Sequence, residues 1–297
     1  MNKKPDWFYD ADLSHVMSVL NTEWRETRYV GGCIRDFLLQ RRDGDIDIDI
    51  DMATQLHPDE VISLCNDAGL KTIPTGLDHG TISVLAGERV VEVTTLRRDV
   101  ETDGRRAVVA YTDCWVEDAY RRDFTVNSLS MDVNGAVHDP LGLGVDDIAS
   151  RRLRFVGDPE ARIKEDALRI LRFFRFMDVF FNTDAASLHA CTQNWGLLEG
   201  LSKERVTQEM RKMIVAIPAS QGLKEMAAQG LTIKNLGLNF QFFYNIKEKS
   251  QNIDIECEPV LWVALFSGVL AEELGEALSL PRTLVKQMQA ICGAVQD

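Results

Sequence analysis

The sequence predicts an α+β protein, with a mixed sheet in its N-terminal half and helices in its C-terminal half. Short β-branched segments at residues 81–85 and 89–95 alternate with helical patterns in the first half. From Pro159 onward the apolar spacing becomes helical and stays so. A chain of 297 residues with 45% hydrophobic content can bury a substantial core, and its length favours two domains. We therefore predict domains at residues 1–150 and 151–297.

The stretch at residues 29–54, YVGGCIRDFLLQRRDGDIDIDIDMAT, has the pattern of a strand, a glycine turn and a helix start. An apolar lead-in runs into Gly31 and Gly32, and residues 33–40 then have the spacing of a short helix. Glycines let the backbone approach a ligand, and the free N–H groups of a helix N-terminus favour an anion such as a triphosphate. Arg35, one turn into the helix, is predicted to reach the same phosphates.

Acids follow this turn in alternation with isoleucines, at Asp45, Asp47, Asp49 and Asp51. Period-two geometry places these carboxylates on one strand face, where they repel one another unless a cation lies among them. Oxygen ligands of this kind suit Mg²⁺. Glu92, in the middle of the segment 89–95, would complete the metal cluster if the two strands are neighbours. The pattern is typical of metal-assisted nucleotidyl transfer; the alternative is a plain turn followed by an edge strand blunted by charge.

Nothing in the sequence indicates export or a membrane. No apolar segment follows the N-terminal lysines, and the longest apolar run, residues 260–270, is too short to span a bilayer. The six cysteines are scattered without a C-x-x-C pair, which favours reduced thiols and a cytoplasmic location. The dipeptide His138-Asp139 is predicted to be structural.

The net charge of −13 by itself argues against nucleic-acid binding, but the distribution of the charges along the chain changes that conclusion. Residues 151–175 contain eight basic and four acidic side chains, which allows one basic face. The triplet Arg121-Arg122-Asp123 is suited to phosphate, with an adjacent acid to hold a guanidinium in place. A solvated charged helix is the alternative for these basic pairs. Residues 96–119 are polar with little periodicity and are predicted to form a long mobile loop.

A helix predicted over residues 165–176, EDALRILRFFRF, would place Asp166 and Arg169 on one face, with Glu165 bracing Arg169. Arg172 and Arg175 continue the row. A carboxylate and a guanidinium side by side match the polar edge of a nucleobase, since a carboxylate accepts from the amino group of cytosine. An ordinary ion pair on an exposed helix is the alternative.

Several segments, taken in order, resemble the class II tRNA nucleotidyltransferase and poly(A) polymerase family over roughly residues 25 to 220. These segments are YVGGCIRD, the acid run ending in DMAT, TGLDHGT, VEVTTLR, RRDFTVN, RRLRFVGDP and EDALRILRFFRF. The resemblance implies a polymerase-β-like nucleotidyltransferase head with a mixed sheet, followed by an all-helical neck and body. The segment TGLDHGT is similar to the CCA-adding branch, which adds C, C and A to the 3′ end of tRNA from CTP and ATP.

The resemblance also implies residue roles. It indicates that Gly31, Gly32 and Arg35 bind the triphosphate and that Arg121 or Arg122 contacts the ribose or a phosphate. It also indicates that Asp166 and Arg169 form an amino-acid template for the base, with Arg172 and Arg175 nearby. Alternative products are those of a CC-only or A-only enzyme or a poly(A) polymerase. A non-catalytic protein that binds tRNA ends is an alternative of another class. Oligomeric state cannot be predicted from this sequence.

Two features depart from the family pattern. The usual spacing from the Asp of the GGxxRD motif selects Asp45 and Asp47 as the catalytic acids, whereas the match of DMATQLHPDEV selects Asp49 and Asp51. We prefer Asp49 and Asp51, because extra residues cost little in the loop that precedes the strand. Family members also usually continue well beyond the position of Asp297, into a tail that grips the tRNA, so tRNA affinity is expected to depend on such a tail.

Overall fold

The computed structural model describes residues 4–40, 49–102, 107–215, 221–233 and 238–239, together with Arg282 and Lys286. The chain divides into two compact units, Met1–Gly157 and Asp158–Asp297. Within the described residues, no helix combines the length and the apolar character needed to cross a membrane. The apolar run at residues 260–270 lies outside the described residues, whereas Arg282 and Lys286 are described and are helical.

The first unit is built on a seven-stranded sheet in the order β3-β4-β5-β2-β1-β8-β9. Strands β2 and β5 run parallel and the other neighbours run antiparallel, so the sheet is mixed and the α+β prediction is confirmed. The elements of this unit are α1 (Ala11–Leu20), β1 (Thr27–Val30), α2 (Gly32–Leu38), β2 (Asp51–Thr54), α3 (Pro58–Asp67), β3 (Thr72–Gly76), β4 (Thr81–Ala86), β5 (Arg89–Thr95), β6 (Arg97–Thr102), β7 (Ala107–Tyr111), α4 (Trp115–Tyr120), β8 (Ser130–Met131), β9 (Val137–His138), α5 (Gly144–Ala149) and β10 (Arg152–Leu153).

Side chains alternate across this sheet and give it one apolar face. Tyr29, Met52, Val93 and Ile82 are register partners on four adjacent strands, and all are buried. Trp7 packs its ring against Tyr29 with ring centroids 4.9 Å apart. The residues one position along each strand therefore point to the opposite face, and this second face carries the acids of the candidate site.

Residues 96–119 do not form the predicted loop. Strands β6 and β7 pair antiparallel with each other, and α4 follows them. The sequence contains a turn signal between the two strands, Asp103-Gly104, which lies outside the described residues. The spacing of apolar residues did not predict these strands. The two strands form a separate two-stranded sheet and satisfy their backbone hydrogen bonds chiefly with each other.

The described residues of the second unit are mainly helical, with a few two-residue strands where an all-helical body was expected. Strand β12 pairs antiparallel with β13. Buried aromatic side chains of α7, including Phe173 and Phe174, form part of its core. The elements are α6 (Pro159–Glu165), α7 (Leu168–Phe176), β11 (Asn182–Thr183), α8 (Ala185–Gln193), α9 (Lys203–Val215), α10 (Gln221–Ala228), β12 (Thr232–Ile233) and β13 (Leu238–Asn239).

The prediction of a single helix over residues 165–176 was wrong, because the helical conformation is interrupted at Asp166. Helix α6 ends at Glu165, and Asp166 adopts φ −152° and ψ 104°, far from helical values. Its carboxylate accepts from the backbone N–H of Leu168, where α7 begins, at 3.1 Å. A short acidic side chain that satisfies an N–H group at a helix start favours such a break.

Helix α10 approaches the backbone of α7 at Gly222. A Cβ atom on residue 222 would lie 1.9 Å from the carbonyl oxygen of Phe174 and 2.6 Å from its carbonyl carbon. We expect Gly222→Ala to lower the free energy of unfolding by roughly 1–3 kcal/mol, because backbone atoms cannot turn away as a flexible side chain can. Chemical denaturation measures this change.

Gly196→Ala is the matched control, since a Cβ atom there has no neighbour within 4 Å. A Gly222→Ala protein as stable as the control would contradict this account of the packing.

Candidate functional site

A glycine turn joins β1 to α2, as the sequence predicts. Gly31 has φ 77° and ψ −130°, a conformation that side chains rarely permit. A Cβ atom at Gly31 would lie 3.7 Å from a terminal nitrogen of Arg122, and one at Gly32 would lie 3.5 Å from a terminal nitrogen of Arg35. Two guanidinium groups therefore border the turn where an anion is expected.

Arg35 is held beside this turn by a buried network. Its Nε and one terminal nitrogen donate to the two carboxylate oxygens of Asp36, at 3.0 and 2.8 Å. Its other terminal nitrogen donates to the side-chain oxygen of Asn127 at 2.8 Å, and the Asn127 amide donates to Asp123 at 3.0 Å. Asp123, expected to hold a neighbouring arginine, thus supports Asn127. These bonds fix the direction of the Arg35 guanidinium.

Two acidic residues, Asp51 and Glu92, lie on the second face of the sheet. Asp51 opens β2 and is the register partner of Glu92 on the parallel strand β5, so both side chains leave the same face. The condition set for Glu92, that the two strands are neighbours, is therefore met. Asp49 lies two residues before Asp51 and is exposed. The alternative pair, Asp45 and Asp47, lies outside the described residues.

The environment of Asp51 disfavours its charge. Burial raises the pKa of its carboxyl to about 6, and the charges of Glu92 and Asp49 act in the same direction, while Arg122 opposes them. A divalent cation would remove this conflict, because the donor set consists of carboxylate oxygens that hard cations prefer. Asp51, Glu92 and Asp49 therefore offer the kind of donor that a divalent metal ion prefers, but their ligand atoms do not all lie within 4.8 Å of one another.

Asp118 was missed by the sequence analysis, and it organises the two arginines of the RRD triplet. This residue is only 2% exposed. One of its oxygens accepts from Nε of Arg121 at 2.8 Å, and the other accepts from Nε and a terminal nitrogen of Arg122 at 3.2 and 3.0 Å. Burial opposes its ionisation, but the charges of Arg122 and Arg121 outweigh burial and hold the pKa of Asp118 below its ordinary value. The i,i+3 and i,i+4 spacing from Asp118 could have revealed both pairs.

In the second unit, Glu165 and Arg169 pair as predicted. A terminal nitrogen of Arg169 donates to Glu165 at 2.9 Å and to the backbone oxygen of Arg162 at 3.1 Å. Arg162 also pairs with Glu165. The second oxygen of Asp166 accepts from Arg205 at 2.8 Å, a contact that the sequence analysis did not foresee. The carboxylate and the guanidinium proposed to read the base are thus both held by neighbours.

Arg175 anchors α7 to α9. It pairs with Glu209, which is only 4% exposed, and its guanidinium carbon lies 4.3 Å from the ring centroid of Phe176. Arg172 lies over the same ring at 5.8 Å. These contacts give both arginines a place in the packing of α7.

Among the residues described, one set of three potential metal ligands has all its ligand atoms within 4.8 Å of one another, namely Glu26, Asp132 and His138. Both oxygens of Glu26 accept from Arg28, and Asp132 accepts from His138 at 2.9 Å and from two backbone N–H groups. This set is satisfied by its own partners, and the structural role of the His138-Asp139 dipeptide stays a prediction. We assign no metal to it.

Two family models match the chain in succession. The poly A polymerase head domain matches residues 27–154, and the probable RNA and SrmB-binding site of polymerase A matches residues 180–233. The chain belongs to this polymerase family. The predicted membership of the class II tRNA nucleotidyltransferase and poly(A) polymerase family is thereby confirmed, and membership implies the use of a divalent metal ion.

Several similar proteins are CCA-adding enzymes. CCA tRNA nucleotidyltransferase 1, mitochondrial, from Homo sapiens is 40% identical over 70% of this chain and 48% of its own length. The CCA-adding enzyme of Geobacillus sp. (strain WCH70) is 40% identical over 73% of this chain and 52% of its own length. The CCA-adding enzyme of Streptococcus gordonii is 35% identical over 90% of this chain and 66% of its own length. The chain thus spans about half the length of the first two relatives.

A solved structure of this branch matches the fold. The Bacillus stearothermophilus CCA-adding enzyme in complex with CTP superposes with a TM-score of 0.82 at 29% identity, covering 99% of this chain and 71% of that one. The polymerase-β-like architecture of the family is therefore present.

The raised pKa of Asp51 predicts a pH-dependent penalty in the metal-free protein. Below about pH 4 the Asp51 carboxyl is protonated in both the folded and the unfolded protein, so it does not change the free energy of unfolding. Between pH 4 and 6 the unfolded chain releases its proton while the folded chain keeps it, and stability falls as pH rises. We expect Asp51→Asn to stabilise the protein above pH 6 by roughly 1–2 kcal/mol, a value reduced for partial solvent contact.

Thermal unfolding with a chelator at pH 4, 5.5 and 7 measures this effect. Glu88→Gln, which removes an exposed acid in the turn after β4, is the control. A gain for Asp51→Asn that is equal at all three pH values would contradict the assignment.

Proposed function

We propose that this chain is a template-independent tRNA nucleotidyltransferase that adds C, C and A to tRNA 3′ ends from CTP and ATP. The observation that carries the proposal is the placement of Asp51 beside Glu92 on the second face of the sheet, in a strand that adjoins the glycine turn. The similarity to CCA-adding enzymes supports the substrate class. The reaction joins the tRNA 3′ oxygen to the α-phosphate of the nucleotide and releases pyrophosphate.

The residues of the first unit would bind metal and phosphates. Asp49 and Asp51, with Glu92, would hold Mg²⁺, which when bound neutralises charge on the attacking oxygen and on the departing pyrophosphate. The backbone at Gly31 and Gly32 and the guanidinium groups beside it would bind the triphosphate, with contributions from Arg35, Arg121 and Arg122. Because Asp36, Asn127 and Asp118 already hold these arginines, little reorganisation is needed on binding.

Asp166 and Arg169 would select the base. Asp166 would accept from the amino group of cytosine or adenine, and Arg169, braced by Glu165, would donate to the ring nitrogen. Arg172 and Arg175 would add positive charge nearby. UTP and GTP place a carbonyl oxygen where the amino group should be, so an acceptor would face an acceptor.

The choice of catalytic acids is open to direct test. Asp49→Ala combined with Asp51→Ala should lower CTP incorporation by more than a thousandfold while leaving tRNA binding largely intact, because these groups serve the chemistry rather than tRNA affinity. Labelled CTP, Mg²⁺ and tRNA without its 3′ end provide the assay. Asp45→Ala with Asp47→Ala is the matched control. Loss in the control pair together with full activity in the first pair would select Asp45 and Asp47.

Base selection gives a second test. Asp166→Ala should reduce the preference for CTP over UTP by about 10- to 100-fold, since the loss of the acceptor removes a mismatch worth a few kcal/mol. Arg169→Ala should weaken both correct nucleotides, and Glu165→Ala should do so more mildly. Single-turnover incorporation of all four nucleotides measures these effects. If the selectivity for CTP over UTP is unchanged in Asp166→Ala, Asp166 does not select the base and serves only in a structural ion pair.

Other products and another class of function remain outcomes of the same assay. Product length on a sequencing gel separates CCA addition from CC-only, A-only and poly(A) synthesis. Binding of tRNA without any incorporation would favour a non-catalytic tRNA-end binding protein. The cytoplasmic location stays a prediction, supported by the free thiols of the four cysteines that the structure describes.

A further inference from the structure

Asp166 has a donor on each of its carboxylate oxygens. One oxygen accepts from the backbone N–H of Leu168 at 3.1 Å, and the other accepts from a terminal nitrogen of Arg205 at 2.8 Å. Asp166 and Arg205 are 39 positions apart in the chain, so this second contact is long-range. An ionised carboxylate offers about four lone-pair sites, and these two bonds leave acceptor capacity for a third donor.

Arg205 is presented from a firmly packed helix. It lies in the first turn of α9, where its backbone N–H reaches the Ser202 hydroxyl oxygen at 3.5 Å. Val206, Met210 and Met213 on the same helix are buried, with exposures of 3% or less. Four residues after Arg205, Glu209 pairs with Arg175 on α7. Helix α9 is therefore fixed against the helix that begins beside Asp166, and the origin of the Arg205 side chain is fixed with it.

The second bond matters because the terminal torsion of an aspartate is soft. The carboxylate plane of Asp has a broad rotamer distribution, so a single hydrogen bond leaves its lone pairs poorly directed. Two donors on different oxygens define the plane. A guanidinium supplies donors only and cannot replace the carboxylate as an acceptor for a base amino group.

We propose that Arg205 is a positioning residue that orients the Asp166 carboxylate and thereby sharpens selection for bases with an amino group. The inference rests on the proposed function, since it concerns how Asp166 reads the base. Arg205 acts through Asp166 and contacts no base itself. Both side chains are partly exposed, at 42% for Arg205 and 30% for Asp166, so their pairing adds little to overall stability. Orientation, rather than stability, is the effect to measure.

The test compares the dissociation constants of CTP and UTP for the full chain with Mg²⁺ and without tRNA. Arg205→Ala should reduce the CTP-over-UTP preference about three- to tenfold, as expected for the loss of one orienting hydrogen bond, with a melting temperature close to wild type. Arg205→Lys keeps a cationic N–H donor group without the planar guanidinium and should recover part of the preference. Lys164→Ala removes an exposed cation paired with Glu160 in the same unit and should leave the preference unchanged.

A double variant tests the route of action. If Arg205 works through Asp166, then Asp166→Ala combined with Arg205→Ala should show the same preference as Asp166→Ala alone. Additive losses would overturn the positioning role. A wild-type preference that survives intact in Arg205→Ala would also overturn it while leaving the proposed function in place. A wild-type protein with no preference for CTP over UTP would overturn the inference and base selection by Asp166 together.

Discussion

Repulsion among carboxylates on one face of a sheet is the constraint on which the head of this protein depends. The parallel pairing of β2 with β5 brings Asp51 level with Glu92, and burial of Asp51 raises the free energy of the charged cluster. The apolar side chains on the opposite face supply the stability against which this unfavourable arrangement is maintained. Arg122, beside the glycine turn, moderates the repulsion but does not remove it. A cation and a polyphosphate together would complete the charge balance.

In the second unit, the neighbouring residues hold polar side chains in defined directions at a helix break. Glu165, Asp166 and Arg169 each have a neighbour that restricts them, so their geometry is set before any ligand arrives. Preorganisation of this kind favours discrimination between similar ligands, because little side-chain freedom is lost on binding. The ion pair between Arg175 and Glu209 extends the same principle to the placement of whole helices.

Much of this organisation could be predicted from the sequence. The glycine pair before a helical pattern indicated the turn and α2. The alternation of acids with isoleucines placed its strand too early, since among the described residues of that run only Asp51 lies in β2. The helix break could not be predicted in this way, since the apolar spacing of EDALRILRFFRF continues across it and the break depends on a local bond from Asp166. The β6–β7 hairpin lacked a periodic signal. The contact of Arg205 with Asp166 joins residues distant in the chain, and no spacing rule reports such a pair.

Asp118 carries a consequence for how this protein can change over generations. One buried carboxylate holds the guanidinium groups of Arg121 and Arg122, and it also accepts from the backbone N–H of Arg97 at the start of β6. A substitution at Asp118 therefore disturbs three residues at once, whereas a substitution at either arginine leaves the other still held. Variation at these positions should consequently be asymmetric among descendants. Of the three positions, the acid is the one at which a change is structurally least tolerated, whatever part the arginines have in binding a phosphate.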